Sequence, residues 1–187
     1  MTRALKFGAL LLTGMLALSS TTATGADDDK KDKLDTREMT LLRNRAQDDV
    51  NMWKQAEYAS EHAATDRVRS LGKSIIEERR TDLRDIQKIA KDHGEDLKVP
   101  ETMSPQQKFR YDDLSKQSGE NFDRSYVKDV VANYERTVGE LKRAKDQCPH
   151  VDVREWAEKN LKMFEDHLKE ARDAEHEVWK LNDKDRK

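Results

Sequence analysis

One cysteine, Cys148, is all that 187 residues provide, so no internal disulfide can hold the fold and helix packing must do so. Proline is scarce at three and glycine at seven, and 40% of the residues are charged. Such a composition reads either as long solvated helices or as disorder, and periodicity has to decide between them. A basic surplus is also missing, which argues against a nucleic-acid partner. After the first twenty residues no apolar run is long enough to span a bilayer. No glycine-rich phosphate loop is present, and no Ser/His/Asp arrangement can be read from spacing alone.

The N-terminus has the three parts of a secretory leader. Arg3 and Lys6 give a positive start, Phe7 to Leu18 an apolar run, and "SSTTATGA" the small residues before cleavage. Cleavage is expected after Ala26, with Gly25 the alternative. A retained anchor is the other reading, against which the shortness of the run counts. The mature chain is therefore expected to be exported, periplasmic or extracellular. Loss of Arg3 and Lys6 takes the formal net charge from -2 to -4.

Residues 27–36 form a charge run, expected as a flexible tail. From there to residue 180 apolar residues recur at steps of three and four, the helical period. The first helix carries Met39, Leu42, Ala46, Val50, Trp53 and Ala56. Thr65 or Asp66 can cap the second, which carries Val68, Leu71, Ile75, Leu83, Ile86 and Ile89 and stops at Gly94. Residues 95–120 lack the long period. Within them "SPQQ" predicts a short helix: Ser104 the cap, Pro105 the first residue, Gln107 closing a capping box. A further long helix starts near Asn121 and another at Asp152. On the outer face of the last, Glu155–Lys159, Glu158–Lys162 and Glu165–Lys169 are expected as i, i+4 pairs. Residues 181–187 are left as a tail.

Tight links within each helix pair force antiparallel neighbours, and the long central link can run the length of the bundle. Two hairpins joined by one crossover make an all-α, ferritin-like four-helix bundle, with the crossover carrying a short helix.

Three stretches carry a family resemblance. "VRSLGKSIIEERRTDLRDIQKIAKDHG", "SGENFDRSYVKDVVANYERTVGELKRA" and "WAEKNLKMFEDHLKEA" resemble the second, third and closing helices of the DUF4142 family of exported bacterial proteins. The likeness covers roughly residues 40 to 175, with "FDRSY" and "DHL" its most specific parts. It implies a ferritin-like fold and no settled activity.

Ferritin-like carboxylate centres need Glu-x-x-His pairs, whose spacing aims both ligands inward from one helix face. None exists here: three residues before His62, His93, His150, His167 and His176 stand Ala59, Ala90, Gln147, Phe164 and Asp173. A di-iron enzyme is not expected, no cofactor is implied, and no residue is singled out as catalytic. Relatives often place a histidine in each of the second, third and fourth helices. The resemblance puts Arg79, Tyr134 and His167 at those positions, and a single imidazole beside an arginine does not hold a transition metal.

Arg79 interrupts an apolar stripe, and Lys54 adjoins Trp53. Inward charges need partners, for which Glu57, Glu78 and the Tyr134 hydroxyl are candidates. The reading is an interior polar cluster of Arg79, Tyr134 and His167. Its rival lays Arg79 at the stripe edge with its head in water. Cys148-Pro149-His150 reads as a turn rather than half a metal site. Trp53, Trp156 and Trp179 read as core or seam, with Trp179 a hint of self-association. The functional expectation is an exported binding or envelope-stress protein, partnered by itself or another envelope protein. The alternative is a metal-binding or oxidoreductase-like protein with a degenerate centre.

Overall fold

The structure, a computed structural model, describes residues 32–184. The leader expected at 1–26 lies outside the described residues, as do residues 27–31 and 185–187 of the two expected tails. Among the described residues there are five helices and no strand: α1 Thr36–His62, α2 Asp66–Asp92, α3 Pro105–Leu114, α4 Gly119–Gln147 and α5 Val151–Lys184. The four long ones are about 40 to 50 Å in length. α1 packs along α2 and α4 along α5, and α2 against α5 joins the two hairpins.

Each start has a local cause. Asp35 and Glu38 form a reciprocal capping box at α1, with Glu38 N donating to Asp35 Oδ1 at 2.7 Å. Leu34 is buried, so ordered chain begins before the expected end of the tail at residue 36. Thr65 caps α2, and Gly94 sits just past its end at φ 72°, where a side chain would be strained. Ser104 accepts from Gln107 N at 3.4 Å, but the box is half made, because the Gln107 side chain accepts from Gln55 instead.

The turn between α1 and α2 is held from α4. Asp123, the acid of "FDRSY", is fully buried and accepts from Ala64 N at 2.8 Å, Thr65 N at 2.9 Å and Thr65 Oγ1 at 2.7 Å. That motif therefore ties the two hairpins together. At the opposite end His150 N and Nδ1 bond to Glu38, at 3.0 and 2.5 Å, while His93 contacts the Asp32 carbonyl and Asp152. Cys148 ends α4 at 5% exposure, and burial pushes its thiol above the ordinary range. Arg154 holds the Cys148 and Pro149 carbonyls at 2.7 and 2.5 Å, so the Cys-Pro-His turn is a clasp of the bundle end.

The crossover runs beside α1 and is stitched to it at regular intervals. Gln47 donates to the Thr102 carbonyl at 3.1 Å, Asn51 accepts from Ser104 N at 3.1 Å, Gln55 meets Gln107 at 3.3 Å, and Tyr58 donates to the Ser115 carbonyl at 3.0 Å. These α1 residues lie three or four apart, on one face.

The three expected i, i+4 pairs of the last helix correct to pairs between helices: Lys159 with Asp85, Glu158 with Lys145, and Glu165 with Lys142. The seams beside α5 bring opposite charges on α2 and α4 within 3.1 Å. Trp179 lies at the α4–α5 seam, 48% exposed with Arg124 over its ring, and Trp156 is buried.

Candidate functional site: an ion-paired bundle centre

The apolar stripes of the long helices turn polar at one level, midway along the bundle. α1 contributes Arg45 and Asp49, α2 Glu78, Arg79 and Asp82, α4 Asn133, Tyr134 and Thr137, and α5 Trp156 and His167. All but His167 are buried. Burial at this density demands partners, since an unpaired interior charge is costly.

Two guanidiniums organise the cluster. Arg45 donates to Asp82 Oδ2 at 2.8 Å, to Thr137 Oγ1 at 2.9 Å and to Asp49 Oδ1. Arg79 donates to that same Asp49 oxygen at 3.1 Å and to Asn133 Oδ1 at 2.9 Å. Asp82 is completed by the Trp156 indole N–H at 2.9 Å. Both guanidiniums also face aromatic rings: Arg45 and Arg79 lie 4.9 and 4.7 Å from the Phe164 ring centre, and Arg79 lies 5.2 Å from that of Tyr134. Such contacts gain strength where water is excluded.

Glu78 is the second node. Its Oε2 accepts from the Tyr134 hydroxyl at 2.7 Å and from His167 Nδ1. Its Oε1 stands 3.4 Å from Arg79 Nε, close enough for charge but without a hydrogen bond. Arg79, Tyr134 and His167 therefore meet around one carboxylate. Arg79 is 0% exposed, which rules out a head extended to water. Lys54 is not inward. It is half exposed and pairs with Glu57 at 3.1 Å.

The charges do not balance without a proton. Arg45 and Arg79 face three carboxylates: Asp49, Glu78 and Asp82. Burial pushes the Asp49 carboxyl well up, against the pull of Arg45. The His167 imidazole is also raised, chiefly by its hydrogen bond to Glu78, with burial opposing. Asp49 Oδ2 has no hydrogen-bond partner among the described residues. The His167–Glu78 contact satisfies donor and acceptor alike, so the balancing proton is better placed there. At 23% side-chain exposure, His167 is the point where the interior charge network reaches solvent. Tyr134 is raised by burial first and by Glu78 next, which keeps its hydroxyl a donor.

Among the described residues no three or more His, Cys, Asp or Glu side chains converge as a metal site. The cationic positions of this centre are taken by arginine. Sequence reasoning found Arg79, Tyr134 and His167 and named Glu78 as a partner. It missed Arg45, Asp49, Asp82, Asn133 and Thr137. A signal for them existed, because each lies in phase with its helix's apolar stripe: Leu42–Arg45–Asp49 on α1, Ile75–Arg79–Asp82–Ile86 on α2, and Val130–Asn133–Thr137–Leu141 on α4.

A separate cleft of about 830 Å³ opens between α1, α2 and the crossover, with Tyr58, Ile76, Met103, Pro105 and Tyr111 among its walls. Among the described residues no helix is long and apolar enough to cross a membrane.

Comparison with curated proteins and with solved structures gives no match. A family comparison does. The family described as a domain of unknown function, DUF4142, matches residues 21–174, which takes in all of the ion-paired centre. With most of its length covered by that match, the chain belongs to the DUF4142 family.

Proposed function

We propose that this is an exported, non-enzymatic binding protein of the cell envelope, working in the periplasm or outside the cell and serving in envelope stress. The observation that carries the reading is the guanidinium pair at the bundle centre. In a ferritin-like arrangement of two hairpins and one crossover, the interior between the helices is where a metal or cofactor would sit. Here Arg45 and Arg79 occupy that interior, and they engage Asp49, Asp82 and Glu78 from within. A centre so committed serves as a structural lock and leaves binding to the outer surfaces. The N-terminal leader pattern supports the exported location.

The experiment is metal analysis of the protein as recovered from cells without a histidine tag. It is paired with thermal melts in added iron, zinc, manganese or copper. No bound metal and no shift in Tm are expected. Near-stoichiometric metal that raises Tm and is lost in His167→Ala would replace this reading with the degenerate-centre one. The mass of the same sample tests export, since a chain beginning near residue 27 is expected.

A further inference from the structure

We infer that the crossover cleft is a binding site for a small organic cation with an apolar, aromatic body. The inference rests on the reading of this chain as a binding protein and names its ligand class. The cleft, at about 830 Å³, falls in the range that holds a drug-sized molecule. Its walls come from three places. α1 supplies Lys54, Glu57, Tyr58 and Glu61, α2 supplies Ile76, and the crossover with α3 supplies Glu101, Thr102, Met103, Pro105, Lys108 and Tyr111.

The walls are built, not incidental. Tyr58 is fixed by its hydroxyl bond to the Ser115 carbonyl and stands edge-on to Tyr111, ring centres 5.8 Å apart. The Gln47–Thr102, Asn51–Ser104 and Gln55–Gln107 stitches hold the crossover against α1 and so set the width of the opening. Ile76, Met103 and Pro105 add apolar surface. Aromatic and apolar walls of this kind suit a flat hydrophobic body, while one face of Tyr58 is stacked on His62 and Lys108 lies over Tyr111 at 5.8 Å, so the cationic end of a ligand is left to the carboxylates.

Charge sets the sign of the ligand. Both lysines of the lining are already neutralised, Lys54 by Glu57 and Lys108 by Asp112. Glu61 and Glu101 have no ion-pair partner among the described residues. The lining's own charges, Lys54 and Lys108 against Glu57, Glu61 and Glu101, leave one negative charge in surplus, and among the described residues Glu61 and Glu101 stand free of ion pairs beside the aromatic walls. An ammonium or guanidinium group meets them favourably, and an anion is repelled.

The probe is dansylcadaverine, a naphthalene body bearing one primary ammonium. Dansylamide, which lacks the cationic arm, is the control. Titration into the full chain, followed by the rise and blue shift of dansyl emission, is expected to show one saturable site. Glu61→Gln/Glu101→Gln should weaken it roughly fivefold, the scale of two exposed ion pairs, with Tm unchanged. Met103→Glu, which places a charge on the apolar wall, should weaken dansylcadaverine and dansylamide together. Absence of saturable binding, equal affinity for the two probes, or an unaffected double glutamine variant would each overturn the proposal. Those failures are separable from failure of the broader reading, which turns on metal content and not on the dye.

Discussion

Replacing Arg79 by methionine removes one positive charge from the bundle centre while keeping a long side chain against Phe164 and Tyr134. Three acceptors feel the change. Asn133 Oδ1 loses its donor at 2.9 Å, Asp49 Oδ1 loses one of its two guanidiniums, and Glu78 Oε1 loses the cation 3.4 Å away. Three buried carboxylates then face one guanidinium and one imidazole. Breaking a buried ion pair from one side costs about 3–5 kcal/mol, and apolar packing of the methionine returns a part, which leaves a loss of about 3 kcal/mol. With a urea slope of about 2 kcal/mol per M, the unfolding midpoint falls by about 1.5 M. The assay is equilibrium urea unfolding followed by helical ellipticity, on wild type, Arg79→Met, Asp49→Asn and the double variant. The double change removes one charge of each sign, so it should be less damaging than the sum of the singles by about 1–2 kcal/mol. An Arg79→Met loss below about 1 kcal/mol, the scale of an exposed pair, together with simple additivity, would refute the charge-matched interior.

Four further outcomes are expected. Gly72→Ala should lower Tm, because its Cβ would meet the Ala56 carbonyl at 2.9 Å and Ser60 N at 3.0 Å, and overpacking of about 1–3 kcal/mol outweighs the gain in helix propensity. Gly139→Ala should raise Tm by the propensity alone, about 0.5–1 kcal/mol, since its nearest neighbour is the Arg143 side chain at 3.7 Å. Asp123→Ala removes three acceptor contacts at the α1–α2 turn and should cost about 2–3 kcal/mol in urea unfolding. The His167 contribution depends on pH with a definite sign. Its folded value is raised above the ordinary 6.5, so the contribution is complete below 6.5 and fades as pH rises through the folded value. Melts of wild type and His167→Gln across that window should diverge most on the acid side.

Much of this architecture is legible from the chain. Steps of three and four between apolar residues mark all four long helices, and Thr65, Ser104 and Gly94 mark three boundaries. Arg79 stands out because it breaks an otherwise aliphatic run. Arg45 and Asp49 do not, since α1 is polar over much of its length and an Arg–Asp pair four apart is common on a solvated face. Their phase with Leu42 is the one local sign, and the partners that hold the pair inward, Asp82, Thr137 and Arg79, lie on other helices. The stitches of the crossover were equally hidden. They join α1 side chains to backbone groups and a side chain some fifty residues away, and spacing within one helix says nothing of such partners. The role of "FDRSY" follows from a turn that Asp123 reaches only in the folded chain.

Cys148 gives the bundle end a clock. It is 5% exposed where the α4–α5 turn begins, and burial suppresses its reactive thiolate. A thiol reagent is therefore expected to react slowly with Cys148 in the folded chain and faster when the bundle end is loosened, as in Arg154→Ala. The rate of alkylation thus reports on the closure of that one end, at a distance from the ion-paired centre.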